Sequence, residues 1–194
     1  MISKNQIFYK TFLIVIIFLC VILIIFQNSN NFTGNYLLNT TSNVSLFKYY
    51  SIAFSDNLSS GIEFGTIENL PAVSVNATYN YLGLSNSTEY FINVSNDSNT
   101  NIDFCIKADG DLESIASDIL GLGNETYNNA TFTNLSSPSD TEVLLTTSYV
   151  KSGSNVLIGG VNYYRFWLDV PSGQAAGTYN NTVNFKAVET DYSC

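Results

Sequence analysis

From Val73 to Tyr81 apolar and polar side chains alternate without a break. Val73, Val75, Ala77, Tyr79 and Tyr81 take one side, and Ser74, Asn76, Thr78 and Asn80 take the other. Only an extended chain sends alternate residues to opposite faces, so the run specifies a half-buried strand and excludes a helix. The pattern recurs. Tyr90, Ile92 and Val94 share a face opposite Asn93, and Tyr179, Val183, Phe185 and Ala187 lie opposite Asn180, Thr182, Asn184 and Lys186. Aromatic residues make up 14% of the chain and charged ones only 12%, so strand formers dominate and Ser, Thr and Asn supply the polarity. Strands are expected over residues 44–54, 61–67, 72–81, 89–95, 101–107, 129–134, 143–150, 161–170 and 178–188, separated by turn signals such as Gly159-Gly160 and Pro171-Ser172-Gly173. The expected fold is all-β: a single β-sandwich, jelly-roll-like, over residues 46–194. One short helix is expected after Asp111, with Leu112, Ile115, Ile119 and Leu120 as its apolar stripe and Gly121 and Gly123 as its stop.

Ahead of this domain, residues 12–26 are fifteen consecutive apolar residues, preceded by Lys4 and Lys10 and followed by a stretch rich in Asn, Ser and Thr. Basic residues stay on the cytoplasmic side, so residues 1–27 read as a signal peptide or membrane anchor, with residues 27–194 outside the cell. Fifteen residues suit a signal core better than a span of about 20, yet no small-x-small cleavage site follows Phe26. Both readings stand. Cys20 reads as an apolar residue of that segment. Residues 28–45 form a polar arm or linker, low in complexity.

Asn-x-Ser/Thr triplets occur at Asn31, Asn39, Asn43, Asn57, Asn76, Asn86, Asn93, Asn96, Asn124, Asn129, Asn134 and Asn180, more than chance pairing gives at this composition. Asn76, Asn93 and Asn180 fall on the more polar face of their expected strands, where a glycan has room. The sequence therefore predicts a glycoprotein.

Beyond Phe26 the chain carries five basic and sixteen acidic side chains, a balance of −11. A surface of this sign repels phosphate backbones, which argues against nucleic acid. The chain has no histidine, which removes His-dependent triads and zinc sites. No phosphate loop or nucleophile elbow appears. No enzyme and no cofactor are expected.

Cys105 and Cys194 are the cysteines beyond the apolar run. An exported thiol tends to oxidise, so a bridge between them is expected, with a bond between subunits or free thiols as alternatives. Asp109, Asp111 and Glu113 alternate as calcium ligands can, but the full twelve-residue calcium loop is absent and acids at a helix start are expected from the dipole alone, the reading favoured here. Tyr163, Arg165 and Trp167 form one face of a strand whose other face is also bulky. They suit a sugar-stacking or subunit interface, or packing beneath a loop.

Residues 53–70 hold an Ala53-Phe54-Ser55-Asp56 element, a polar spacer and the strand-like Ile62-Glu63-Phe64-Gly65-Thr66-Ile67. They resemble the opening of the TasA–camelysin family of biofilm-matrix proteins. The closing Gly177-Thr178-Tyr179 and Val183-Asn184-Phe185-Lys186-Ala187 resemble the last strand of that family and of archaeal bundling-pilus subunits. The resemblance implies a jelly-roll fibre subunit that polymerises by donating an amino-terminal strand to its neighbour. In that family the first element lies close behind the signal peptide. Here residues 27–52 intervene, either as a stalk or as the donor, with Phe32, Tyr36, Leu38, Val44 and Leu46 as candidate plugs. The expected function is a structural subunit of an extracellular filament or biofilm matrix, self-associating head to tail. The alternative is a membrane-tethered adhesion or carbohydrate-binding module at the cell surface.

Overall fold

The computed structural model describes residues 12–22, 41, 43–84, 86–131 and 138–194. The chain divides into two units, residues 1–45 and 46–194. In the first, residues 12–22 are helical (α1) with exposed side chains. Among the described residues no helix is long and apolar enough to cross a membrane.

The second unit is mostly β, with three antiparallel sheets in a sandwich-like arrangement. It contains β1 (Ile52–Phe54), a short helix α2 (Asp56–Ser60), β2 (Ala72–Asn76), β3 (Phe91–Val94) and β4 (Ile102–Ala108). Then come β5 (Leu112–Ser114), β6 (Ile119–Leu120), a single 3-10 turn (Leu122–Asn124), β7 (Glu125–Ala130) and β8 (Val143–Leu144). The last elements are β9 (Val150–Val156), β10 (Val161–Val170), β11 (Tyr179–Asn180) and β12 (Val183–Glu189). The largest sheet has the order β1-β3-β10-β7-β8, with β2 pairing the far end of β10. The second has β12-β4-β9 and the third β11-β5-β6.

Alternation along β10 builds the centre. Tyr164 and Phe166 face inward and pack with Ile92, Phe104, Ile106 and Tyr127. Phe185 of the second sheet meets Tyr164 edge-on, with ring centroids 5.1 Å apart. A smaller cluster of Leu112, Leu120, Leu168 and Val170 continues the core beneath the third sheet. Each fully buried side chain of this size contributes about 1.5–3 kcal/mol. Gly153 of β9 makes room for an amide: a Cβ there would lie 2.9 Å from Asn162 Nδ2, which donates to Ser152 O.

Three expectations change. The helix predicted after Asp111 is instead the hairpin β5–β6, with Leu112 opposite Leu120. These two are buried, whereas Ile115 is 98% exposed, so the supposed stripe never shared a face. Ser114 and Asp118 close the turn by hydrogen bonds, and Ser117 takes positive φ. A segment this short cannot offset helix nucleation. Residues 61–67 run without strand assignment. The alternation of residues 73–81 outlasts its strand: β2 ends at Asn76, Val73 is exposed and Asn80 is buried. Asn80 accepts from Phe166 N and donates to Phe166 O, continuing the ladder with a side chain.

Two contacts strap the carboxyl terminus to the outer face of β4. Cys105 is disulfide-bonded to Cys194 across 89 residues. Asp103, 1% exposed, pairs with Lys151 and accepts from the N–H groups of Asn155 and Asp191. Burial pushes its carboxyl upward, but the Asn155, Lys151 and Asp191 bonds together prevail and hold it below the usual range. Replacing both cysteines by serine is expected to cost about 4–5 kcal/mol on the chain-entropy account, read as a lower midpoint in denaturant. For Asp103 the folded pKa lies below the unfolded one. Its contribution is complete above about pH 4 and is lost as pH falls through the folded value. Acid titration of stability should therefore be shallower in Asp103→Asn than in the wild type; identical slopes would contradict this.

Candidate functional site

The largest sheet ends on β1 and the second sheet ends on β12, and these two edges face a common seam. Ser95 N donates to Ser51 O and Ser55 N donates to Phe91 O, so the odd residues of β1 bond to β3. By the alternation of an antiparallel ladder, the backbone groups of Ile52 and Phe54 point away, into the seam. On β12, Asp109 N donates to Thr182 O and Thr190 N donates to Asn101 O, so the even residues face β4. Val183, Phe185 and Ala187 therefore present their backbone groups to the same seam.

One half of the seam is stitched by side chains. Lys48 Nζ lies 2.6 Å from Glu189, Tyr50 Oη donates to Ala187 O, and Asn99 clamps the entering chain through Phe47 O and Tyr49 N. The other half is open. The Phe54 and Phe185 rings meet at 5.3 Å, yet Phe54 stays 43% exposed.

From this open half a trough runs in three adjoining stretches. The middle one, about 290 Å³, lies among Phe54, Leu58, Ile62, Phe64, Val183 and Phe185. It shares Ile62, Phe64, Leu112 and Tyr179 with a wider stretch of about 610 Å³, bounded by residues 62–68 and 174–179 over Leu120, Leu168 and Val170. It shares Asn180, Asn181 and Thr182 with a polar stretch of about 460 Å³ that holds Asp109, Asp111 and Glu113. Six acidic residues line the three (Glu63, Glu68, Asp109, Asp111, Glu113 and Glu125), and no lysine or arginine does.

Glu125, at the start of β7, is 2% exposed, and its Oε2 accepts from Asn181 Nδ2 at 2.8 Å. Loss of water raises its pKa, the Asn181 bond partly offsets this, and the nearby Asp109 carboxylate raises it again. Asp109 behaves oppositely: Thr182 N–H donates to it at 2.8 Å and holds it below the usual range.

The calcium reading of Asp109, Asp111 and Glu113 is not supported: among the described residues no group of three such side chains is placed to hold a metal. Asp109 binds Thr182 N–H, and Asp111 accepts from Leu122 N, closing the 3-10 turn rather than a helix. The interface reading of Tyr163, Arg165 and Trp167 also changes. Tyr163 and Trp167 are 4% and 3% exposed, and Arg165 stacks on Trp167 and pairs with Asp140. Tyr163 stacks on Tyr81, so this face of β10 is covered rather than available.

Val44 and Leu46 are exposed at 81% and 82%, while Phe32, Tyr36 and Leu38 lie outside the described residues, as do Asn31, Asn39 and Asn134. Asn43, Asn76, Asn86, Asn96 and Asn180 are exposed; Asn57, Asn93, Asn124 and Asn129 are half-buried. Glu125 lies outside the expected strand 129–134, whereas β7 begins at Glu125, so its burial had no signal in the sequence. No family model and no curated protein matches the chain.

Because the folded state raises the pKa of Glu125, it binds that proton more tightly than the unfolded chain does. Stability from this group therefore grows as pH falls through the folded value and is withheld above it. Glu125→Gln is expected to melt above the wild type at pH 7.5, with the gap closing as pH is lowered. Calorimetry across pH checks this, and a lower midpoint for Glu125→Gln at pH 7.5 contradicts it.

Proposed function

We propose that this chain is a structural subunit of an extracellular filament or matrix, a jelly-roll-like domain that assembles when one copy lays its amino-terminal arm in the seam of the next. The observation that carries the reading is the pair of strand edges, β1 and β12, opening on an apolar trough. Unpaired edges and exposed core favour an added strand. Its backbone would complete the ladders, and its alternate side chains would fill the groove. Because the arm of one copy enters the groove of another, the contact is head-to-tail and builds an open filament.

Composition supports the arm as the occupant. Residues 27–55 contain no acid and one base, Lys48, in a chain whose exported part is strongly acidic. This stretch brings no like charge to an acid-lined trough. Residues 28–46, if extended, span roughly 60 Å, against about 40 Å for the width of a domain of this size, so they reach a neighbour. The resemblance to the TasA–camelysin family points the same way. Triplets on exposed Asn fit a surface coated with glycans, and the lack of histidine fits mechanical rather than catalytic work.

Deleting residues 28–46 should abolish filaments on the cell surface in electron micrographs while leaving the thermal midpoint of the domain nearly unchanged. Filaments of normal length in the deletion would refute arm donation. Amino-terminal sequencing of exported protein bears on the alternative: retention of residues 12–26 favours a tethered adhesion module acting singly.

A further inference from the structure

The trough contains one polar group that its own chain leaves half used. Glu125 lies in the middle stretch among Phe54, Leu58, Ile62, Phe64 and Phe185. Asn181 occupies its Oε2. No hydrogen bond or ion pair from the described residues reaches its Oε1, and this atom is not among the buried polar atoms sealed without a partner. Glu125 is 2% exposed and lines the middle stretch, so this oxygen is the acceptor it has left for a partner there. Covering it with an apolar strand would bury a carboxylate oxygen without a hydrogen-bond donor, which disfavours that docking.

Resting on the strand-donation reading above, we propose that Glu125 sets the register of docking: its free Oε1 accepts a hydrogen bond from one amide or hydroxyl side chain of the arm of a second copy. The arm is suited to this. Residues 28–46 are rich in Asn, Ser and Thr and hold no acid, so they offer donors without like-charge repulsion. A lysine is the other donor a carboxylate could take, but Lys48 is already paired with Glu189 within its own domain. The charged groups around the carboxylate are acidic: Asp109 acts on it directly, and Asp111 and Glu113 line the adjoining stretch. These disfavour any anionic partner.

Apolar plugs decide which face of a strand points inward, but a slip by two residues keeps that face. A single buried polar contact distinguishes such registers, as one Asn does in a coiled coil. Glu125 is therefore a positioning residue, and its effect is specific to one arm position.

The experiment titrates labelled peptides of residues 28–46 into the full chain, at concentrations where it is monomeric, and reads fluorescence anisotropy. Each Asn, Ser or Thr of the peptide is replaced singly by Leu, Ala or Val, and every peptide is measured against wild type and Glu125→Met. One replacement is expected to weaken binding to wild type by about tenfold or more, and to Glu125→Met by less than about threefold. A merely structural role for Glu125 would shift all peptides alike, and that uniform shift overturns the proposal. If Glu125→Met does not fold, Glu125→Gln keeps the shape. The coupling at the same position should then shrink to a few-fold, and full coupling in that variant overturns the proposal. Failure of the unmodified peptide to bind wild type overturns the strand-donation reading itself, and this inference with it.

Discussion

A buried peptide group must find a partner, and in this chain side-chain amides supply many of those partners. Ladders stop early here: β2 ends at Asn76, β1 begins only at Ile52, and β11 has two residues. Where each stops, an Asn side chain takes over. Asn80 pairs both backbone groups of Phe166 at the centre of β10. Asn99 grips Phe47 O and Tyr49 N ahead of β1, and Asn181 holds Gly110 O near β11. The amide carries a donor and an acceptor in nearly the spacing of a peptide unit, so it extends a ladder without extending a strand. None of these three Asn residues is the first residue of an Asn-x-Ser/Thr triplet, although Asn181 is the middle residue of the one at Asn180. The described triplet Asn residues are exposed or half-buried. The abundance of Asn thus has two causes, one inside the fold and one at its surface.

That division explains what the sequence disclosed. Period-two alternation located β3 and β12, and in β3 the face of Ile92 and Val94 is the buried one. It failed where burial follows another rule. Both faces of β10 are covered, so of the two readings of Tyr163 and Trp167 burial fits the packed one and not the open interface. Leu112 and Leu120 are spaced as on a helix but meet across a hairpin, a contact decided by Ser and Asp turn chemistry rather than by spacing. Residues 61–67 have the composition of a strand, yet their bonds are isolated at Glu63, whose O accepts from Thr78 N and whose N donates to Tyr90 Oη, so no ladder runs along them. Glu125 could not be found from spacing at all. Its significance comes from the elements that enclose it, and they are distant in sequence: Phe54, Phe64, Asn181 and Phe185.

The open seam and the charge distribution constrain each other. Six acids around one trough are tolerable in the free domain because water reaches most of them, and Asp109 is further held by Thr182 N–H. Any occupant that removes this water must bring no further negative charge. Residues 27–55 meet this condition, as do residues 143–168 and 170–188, most of which are already part of the folded domain. Under the proposed arm donation, a long acid-free arm lets one strongly acidic copy approach another without like charge at the contact.

Asn180 adds a condition of its own. It is exposed, begins an Asn-x-Ser/Thr triplet, and lines both the middle and the polar stretch of the trough. A glycan there and an arm running the whole length of the trough would claim the same space. The wider stretch, between residues 62–68 and 174–179, does not include Asn180. A glycan on Asn180 would therefore compete with an arm in the middle and polar stretches and leave the wider stretch accessible.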